Sequence, residues 1–132
     1  MQAMDGQQGG HTEGLNAEEL SRRARVLHLT TIGRKSGQPR TIEIWFVAYQ
    51  GRLYLNAERG HKAHWVQNIQ ANPAVSVRVR AQRFRGRARI LDPAQDQAEW
   101  RTVADLSRNK YKWGEGLPVA IELIAEQEAG AE

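Results

Sequence analysis

Residues 33–40 (GRKSGQPR), called the basic loop here, combine several kinds of group that could bind an anion. Arg34, Lys35 and Arg40 supply positive charge, Ser36 supplies a hydroxyl donor, and two glycines let the backbone turn and present N–H groups. These are the components of a phosphate or carboxylate cradle. The spacing matches neither a Walker A motif nor GxGxxG. The alternative to an anion site is a solvated basic turn between two strands.

A second candidate segment runs from Asn56 to Gly60 into a predicted helix at His61. A strand that feeds a helix N-terminus offers free backbone N–H groups to a polar ring or anion, although an ordinary connecting loop has the same pattern. His61 and His64 have a spacing that two metal ligands could use. Because no third ligand lies nearby, we expect no metal.

Residues 75–90 carry six arginines and no acid. Strand alternation places four of them, Arg83, Arg85, Arg87 and Arg89, on one face, which we call the arginine face. Such a face could bind nucleic acid, or it could be a solvated surface that discourages edge pairing. It lacks the interleaved aromatic residues that stack on single-stranded bases, so the sequence favours the solvated surface.

The charge distribution supports a small anionic ligand more than a generally basic protein. The chain of 132 residues has a net charge of +4, but nine of its 19 bases lie in the basic loop and residues 75–90, and ten bases face 15 acids elsewhere. There is no cysteine, which excludes thiolate chemistry and disulfides. No apolar run is long enough to span a membrane and no signal peptide is visible, so we expect a cytoplasmic protein.

The pattern of elements predicts a mainly β, α+β domain over residues 15–132, preceded by a disordered tail over 1–14. Six strands are expected, over 25–31, 41–49, 52–57, 75–79, 83–91 and 117–124. Helices are expected over 15–20, over 61–71 and from Asp92-Pro93 to about Leu106. Hairpin connections and the many short strands favour a small, mostly antiparallel barrel with peripheral helices. Its modest core makes a homodimer a reasonable expectation.

Three tryptophans and a tyrosine are further candidates for a site. Trp45 and Trp65 are expected in the core or an interface. Trp113 and Tyr111 lie in a stretch that we interpret as a polar loop before the last strand. A loop tyrosine could stack on a ligand or donate a proton, or it could anchor the loop.

The order of these segments resembles the deazaflavin-dependent nitroreductase family, which belongs to the flavin and deazaflavin oxidoreductases with a split β-barrel. The resemblance covers residues 25–124 and is most specific in TTIGRKSGQPR and in the spacing of Trp65, Asn68-Ile69 and Ala71-Asn72-Pro73. It implies that the six predicted strands form a split β-barrel. It also implies binding of coenzyme F420 and hydride transfer to nitro compounds, quinones or activated double bonds.

The resemblance also implies roles for individual residues. It assigns the phosphate and acidic tail of the cofactor to Arg34, Lys35, Ser36 and Arg40. It assigns the deazaflavin ring to a larger group of residues: Asn56, Ala57, Glu58, Arg59, His64, Trp65 and Asn68. Tyr111 would approach the substrate and is the candidate catalytic residue.

The sequence departs from the family pattern at two places. Ala57-Glu58-Arg59-Gly60 replaces a loop of small residues with paired glycines, and KYKWGEGLP lacks a tyrosine-plus-arginine pattern. Cofactor choice and substrate therefore stay open, with FMN as the alternative to F420. A non-catalytic module that carries a cofactor or binds nucleic acid is the alternative to an oxidoreductase.

Overall fold

The computed structural model describes residues 16–127, so the tail predicted over 1–14 lies outside the described residues. Helix α1 comes first, followed by seven strands, two further helices and one 3-10 turn. In chain order the elements are α1 (Ala17–Arg23), β1 (Val26–Ile32), β2 (Pro39–Trp45), β3 (Val47–Tyr49), β4 (Arg52–Ala57), a 3-10 turn (Gly60–Lys62), α2 (His64–Ala71), β5 (Ala74–Val79), β6 (Gln82–Ile90), α3 (Gln97–Tyr111) and β7 (Leu117–Gln127).

The seven strands form one antiparallel sheet in the order β2-β1-β5-β6-β7-β4-β3. Strands β2 and β3 lie at opposite edges of this order, yet Phe46 alone separates them in the chain. The sheet must therefore curl until its two edges approach each other. This arrangement is the mainly β split barrel that was expected, and it leaves a gap between β2 and β4.

The strand predicted over 41–49 is two strands, so the sheet has seven strands rather than six. The interruption is at Phe46, whose side chain is 1% exposed and whose backbone N–H and carbonyl both bond to the Tyr111 hydroxyl. Lys110 also donates to the Phe46 carbonyl, at 2.9 Å. The tertiary contacts of α3 thus replace strand pairing at this residue, which periodicity alone does not reveal.

Lys110 is a half-buried cation that ties three segments together. Its ammonium donates to the carbonyls of Ser21 and Ala24 at 2.9 Å, as well as to that of Phe46. Burial, together with the neighbouring Arg25, lowers the pKa of Lys110 to about 8. The surrounding carbonyl oxygens compensate for part of the lost hydration. Because they belong to different segments, the same bonds join α1 and the β2–β3 junction to the end of α3.

The other turns and caps follow the sequence closely. Asn16 caps α1 by accepting from the Glu19 N–H at 3.1 Å. The strands predicted over 41–49 and 52–57 leave Gln50-Gly51 as a two-residue hairpin turn, and both residues have the positive φ that this turn requires, 51° and 78°. Asn72 ends α2 as expected.

Helix α2 is shorter than predicted, because residues 60–62 form a 3-10 turn and the helix begins at His64. Gly60 has a left-handed φ of 60°, and Ala63 is extended with a ψ of 136°. Each conformation interrupts the continuous helix that was predicted from His61.

Helix α3 begins later and ends later than predicted. Asp92 caps a turn instead of the helix, since its carboxylate accepts from the N–H groups of Ala94 and Gln95 at 2.8 and 2.9 Å. These bonds lower the pKa of the Asp92 carboxyl. At the other end, α3 continues to Tyr111, so the prediction that Tyr111 lies in a polar loop is wrong.

Candidate cofactor site

The gap between β2 and β4 opens into a cavity of about 830 Å³, which we call the large cavity. Its walls are mostly apolar and aromatic, with contributions from Ile42, Ile44, Trp45, Trp65 and Trp113. Polar groups enter from the end of β4 and from the start of α2. A flat, partly polar ring system is the kind of ligand that such walls accommodate.

A second cavity of about 370 Å³, the basic pocket, is formed by the basic loop and α2. It shares Ile42, His64 and Trp65 with the large cavity, so the two are parts of one cleft. Lys35 and Arg40 are exposed at its rim. The cleft therefore places an aromatic compartment beside a cationic one.

The basic loop is held in shape by its own hydrogen bonds. The Gly33 N–H donates to the Gln38 carbonyl and the Gly37 N–H donates to the Gly33 carbonyl, both at 2.8 Å. Ser36 Oγ accepts from the Gln38 N–H at 3.1 Å and from Arg40 at 3.3 Å. Gly37 has a φ of 73°, a conformation that side-chain-bearing residues rarely adopt. These contacts fix where the loop presents its charge.

Asn68 connects the basic loop to α2 and to the core. Its side chain is 4% exposed, and Oδ1 accepts from the backbone N–H of Arg34 at 3.1 Å and from the Arg34 guanidinium at 2.9 Å. Its Nδ2 donates to Thr31 Oγ1 at 3.0 Å. This buried residue satisfies both ends of its amide, so it fixes the loop against the helix.

Asn56 is different, because Oδ1 of this side chain is buried and has no hydrogen-bond partner among the described residues. It lies on the wall of the large cavity. A buried acceptor without a donor is costly in free energy, and an N–H group of a bound ring would satisfy it. This atom is the clearest sign that the large cavity fits a polar heterocycle.

The end of β4 separates the predicted ring-binding residues by strand alternation. Asn56 and Glu58 face the large cavity with Arg59, whereas Ala57 is 1% exposed and pairs with Leu117. The side chain of Ala57 faces the core, so any contact of this residue with a bound ring would come from its backbone. The other predicted binding residues line one or both cavities: Arg34, Lys35, Ser36, Arg40, Asn56, Glu58, Arg59, His64, Trp65 and Asn68.

Tyr111 is placed away from the walls of both cavities. It is 7% exposed, and its hydroxyl bonds to the backbone of Phe46 and to the Arg25 carbonyl. Burial raises the pKa of this phenol. One face of the ring stacks on Trp45, with centroids 4.5 Å apart and planes within 3°. In this structure Tyr111 supports the indole that lines the large cavity.

Sequence reasoning named Trp45 and Trp113 among the aromatic candidates but gave neither a binding role, and the structure places both on the wall of the large cavity. Trp45 is 44% exposed although it ends a strand, which marks it as a surface or ligand contact. Trp113 is held by a tight loop: Ser107 donates to its carbonyl at 2.6 Å, and a Cβ at Gly114 would lie 2.3 Å from the Ala104 carbonyl oxygen. The two glycines of the WGEG stretch were the available signal for such close packing.

Two other kinds of site are absent from the described residues. No group of three His, Cys, Asp or Glu side chains within residues 16–127 is arranged to hold a metal ion. No helix in that part of the chain is long and apolar enough to cross a membrane.

Comparison with known proteins identifies the family. A family model described as F420H(2)-dependent quinone reductase matches residues 4–123. The chain belongs to this family. It is 35% identical over 91 residues to the F420H(2)-dependent quinone reductase of Mycobacterium tuberculosis H37Rv. That match covers 64% of this chain, and the chain spans 60% of the length of that curated relative.

Two solved structures share the fold. An F420-H2 dependent reductase, FDR-A, is 27% identical with a TM-score of 0.56, over 76% of this chain and 94% of that chain. A protein described as a domain-swapped dimer is 26% identical with a TM-score of 0.55, over 76% of this chain and 80% of its own. The family membership agrees with the resemblance to deazaflavin-dependent enzymes and with the split barrel.

Proposed function

We propose that the protein is an F420-dependent oxidoreductase that transfers a hydride from reduced F420 to a small electrophilic acceptor. The observation that carries this proposal is one cleft with two unlike compartments, an aromatic cavity and a basic pocket, which share Ile42, His64 and Trp65. F420 has the same two parts, a flat deazaflavin ring and an anionic phosphodiester with an oligoglutamate tail. The family membership supports the same cofactor.

The residues of the cleft suit these two parts in different ways. In the basic pocket, Lys35 and Arg40 would neutralise the phosphate, and Ser36 Oγ already lies 3.3 Å from the Arg40 guanidinium. In the large cavity, Asn56 Oδ1 would accept from a ring N–H. Bound F420 in its reduced form supplies the hydride, while the protein supplies binding and orientation.

The walls of the large cavity would also exclude water from the reacting ring. Ile42, Ile44 and Val47 contribute aliphatic surface, and the indoles of Trp45 and Trp65 contribute flat surface. Ala63 caps the N-terminus of α2 without a side-chain hydrogen bond, so the first N–H groups of α2 are available to a ring carbonyl. A dry, oriented site favours hydride transfer over side reactions.

Among acceptors we propose a quinone first, with nitro compounds and activated double bonds as further candidates. The relatives are named as quinone reductases, and the aromatic walls suit a planar acceptor. A quinone that accepts one hydride and one proton becomes a hydroquinone. Tyr111 keeps its predicted catalytic role only if its buried hydroxyl becomes accessible, and we propose a supporting role under Trp45 instead.

FMN is the competing cofactor, and the number of cations in the basic loop favours F420 over it. FMN carries a single phosphate, whereas the basic pocket presents Lys35 and Arg40 beside the partly buried Arg34. The longer anionic tail of F420 uses more of this charge.

The test is a fluorescence titration of the purified protein with F420 and with FMN, followed by turnover of reduced F420 with menadione and a nitroaromatic compound. We expect F420 to bind more tightly than FMN, and menadione to be reduced. Tight binding of FMN alone would reassign the cofactor. Binding of F420 without turnover of any acceptor would support a carrier protein, and binding of neither would contradict the proposal.

We also propose a homodimer, which the domain-swapped dimer among the structural relatives supports. Trp45 and Ile124 are large hydrophobic residues that are 44% and 51% exposed. Light scattering after size exclusion tests this, with twice the chain mass of 14.9 kDa as the expected result and a single chain mass as the contrary one.

A further inference from the structure

His64 lies where the two cavities meet, as the first residue of α2, and it lines both of them. The Arg34 guanidinium reaches it from the basic loop. Arg34 Nη2 lies 3.3 Å from His64 Nδ1, and Arg34 Nη1 lies 3.4 Å from the His64 carbonyl oxygen. These contacts leave the other ring nitrogen, Nε2, without a partner among residues 16–127.

The chemistry of this pair fixes where the imidazole proton is. A guanidinium has five N–H donors and no acceptor. The nitrogen that faces it must therefore accept, so Nδ1 is unprotonated and the proton is on Nε2. A ring protonated on Nδ1 would turn a donor towards the guanidinium donors, so it could not form this hydrogen bond.

Arg34 is itself held in place by hydrogen bonds to Asn68. Asn68, which is 4% exposed, accepts from both the backbone and the guanidinium of Arg34, at 3.1 and 2.9 Å. Asn68 also donates to Thr31, which is 1% exposed, at the end of β1. The orientation of His64 is thus connected through two polar residues to the core, and a built arrangement of this kind is typical of a binding site.

We propose that Arg34 is a positioning residue that holds His64 as the neutral Nε2–H form, and that His64 donates this hydrogen bond to an oxygen of the bound ligand. The inference rests on the proposed function and deepens it. The acceptor oxygen belongs either to the cofactor or to the carbonyl that receives the hydride. In both cases the proton stays on Nε2, and the bond strengthens as negative charge develops on the oxygen.

Two substitutions separate the roles of the two ring nitrogens. Asparagine in His64→Asn places its amide near the position of Nδ1, so it keeps a group beside Arg34 and removes the outer donor. Glutamine in His64→Gln reaches the position of Nε2 and keeps the outer donor. We expect His64→Asn to weaken either the affinity for F420 or the kcat/KM for menadione about tenfold. We expect His64→Gln to keep the same quantity within about threefold of wild type.

The measured quantity identifies the source of the oxygen. A rise in the Kd for F420, measured without an acceptor, places the oxygen on the cofactor. A fall in kcat or a rise in KM for menadione, with an unchanged Kd for F420, places it on the acceptor. Equal behaviour of the two variants, or a larger loss for His64→Gln, would overturn the proposal.

A double-mutant cycle tests the positioning role of Arg34 separately from its charge. Arg34→Lys keeps the charge but not the planar fork that reaches Asn68 and His64 together. In the wild-type background, we expect this change to weaken the quantity that His64→Asn affects, the affinity for F420 or the kcat/KM for menadione, several-fold. In the His64→Asn background the same change should weaken it much less. Equal losses in both backgrounds would show that Arg34 acts as an independent anion contact.

The protonation of His64 can be read without any cofactor. Nitrogen-15 NMR of the imidazoles in the free protein, assigned through the His64→Gln variant, should show an unprotonated Nδ1 and a protonated Nε2 at neutral pH. A protonated Nδ1 would overturn the proposal even if F420 binds. Failure of the wild-type protein to bind F420, with the expected NMR result, would instead contradict the proposed function alone.

Discussion

The basic loop and the arginine face both concentrate positive charge, but they differ in what surrounds it. In the basic loop, Lys35 and Arg40 border a cavity whose other walls include Asn68 and Trp65. On the arginine face, the outward residues of β6 are exposed on an open sheet surface and line neither described cavity. The arginine face has more charge, and the basic loop has the concave shape.

The contacts of the arginines differ as well. Arg34 is bonded to a buried amide and to His64, so its place in the basic loop is fixed by the core. On β6, Arg89 pairs with Asp96 at 3.2 Å and Glu99 at 2.8 Å, beneath the start of α3. No ion pair joins Arg83, Arg85 or Arg87 to another described residue. The neighbours of a charge, and not the number of charges, therefore separate a binding site from a solvated surface.

A first prediction uses Lys110, a cation whose contacts are all made inside the fold. Lys110→Met should lower the free energy of unfolding by about 3 kcal/mol, because it removes the ammonium that donates to three backbone carbonyls, two of which have no other donor among the described residues. Urea denaturation measures this. The control Arg85→Met removes an exposed cation and should change stability by less than about 0.5 kcal/mol. Equal losses of unfolding free energy in the two variants would show that the hydrogen bonds of Lys110 do not distinguish it from an exposed cation.

A second prediction concerns the support of the basic loop. Asn68→Ala removes two hydrogen bonds that hold Arg34 of the basic loop on α2, and one to Thr31 of β1. We expect the Kd for F420 to rise about tenfold and the free energy of unfolding to fall by about 1–2 kcal/mol. Gln70→Ala, an exposed change on the same helix, is the control. Unchanged F420 affinity in Asn68→Ala would show that the loop needs no positioning.

The smallest expected effect lies within the arginine face itself. Arg89→Ala breaks the ion pairs with Asp96 and Glu99, and we expect a loss of about 0.5–1 kcal/mol in the free energy of unfolding. Arg87→Ala should cost less, because Arg87 makes no such pair. Thermal denaturation of both variants at low salt makes the comparison. A larger loss for Arg87→Ala would mean that its charge has a partner outside the described residues.

Most of the fold could be predicted from local patterns. Alternation identified the strands over 25–31 and 83–91, which differ by one residue from β1 and β6, and Gln50-Gly51 indicated a two-residue hairpin turn. The errors lie where tertiary contacts decide the structure. Phe46 interrupts a strand because Tyr111 and Lys110 bind its backbone, and α3 extends past Leu106 because Tyr111 is buried against Trp45.

The site was predictable where its residues lie close together in the sequence. The basic loop and the Trp65–Asn68 spacing are continuous in sequence, and the structure brings them together in one cleft. Trp45 and Trp113 come from distant segments, so only the curled sheet shows that both line the large cavity. The hydrogen bond from Arg34 to His64 joins residues 30 positions apart, and no periodicity encodes it.

The most direct test of the central claim compares two double variants that remove the same charge. F420 is titrated into Lys35→Ala/Arg40→Ala and into Arg83→Ala/Arg85→Ala at one salt concentration, and fluorescence gives each Kd. We expect the first variant to lose about fiftyfold in affinity, about 2.3 kcal/mol, and the second to stay within about twofold of wild type. Equal losses, or a larger loss for the arginine-face variant, would contradict the assignment of the anionic cofactor to the basic loop.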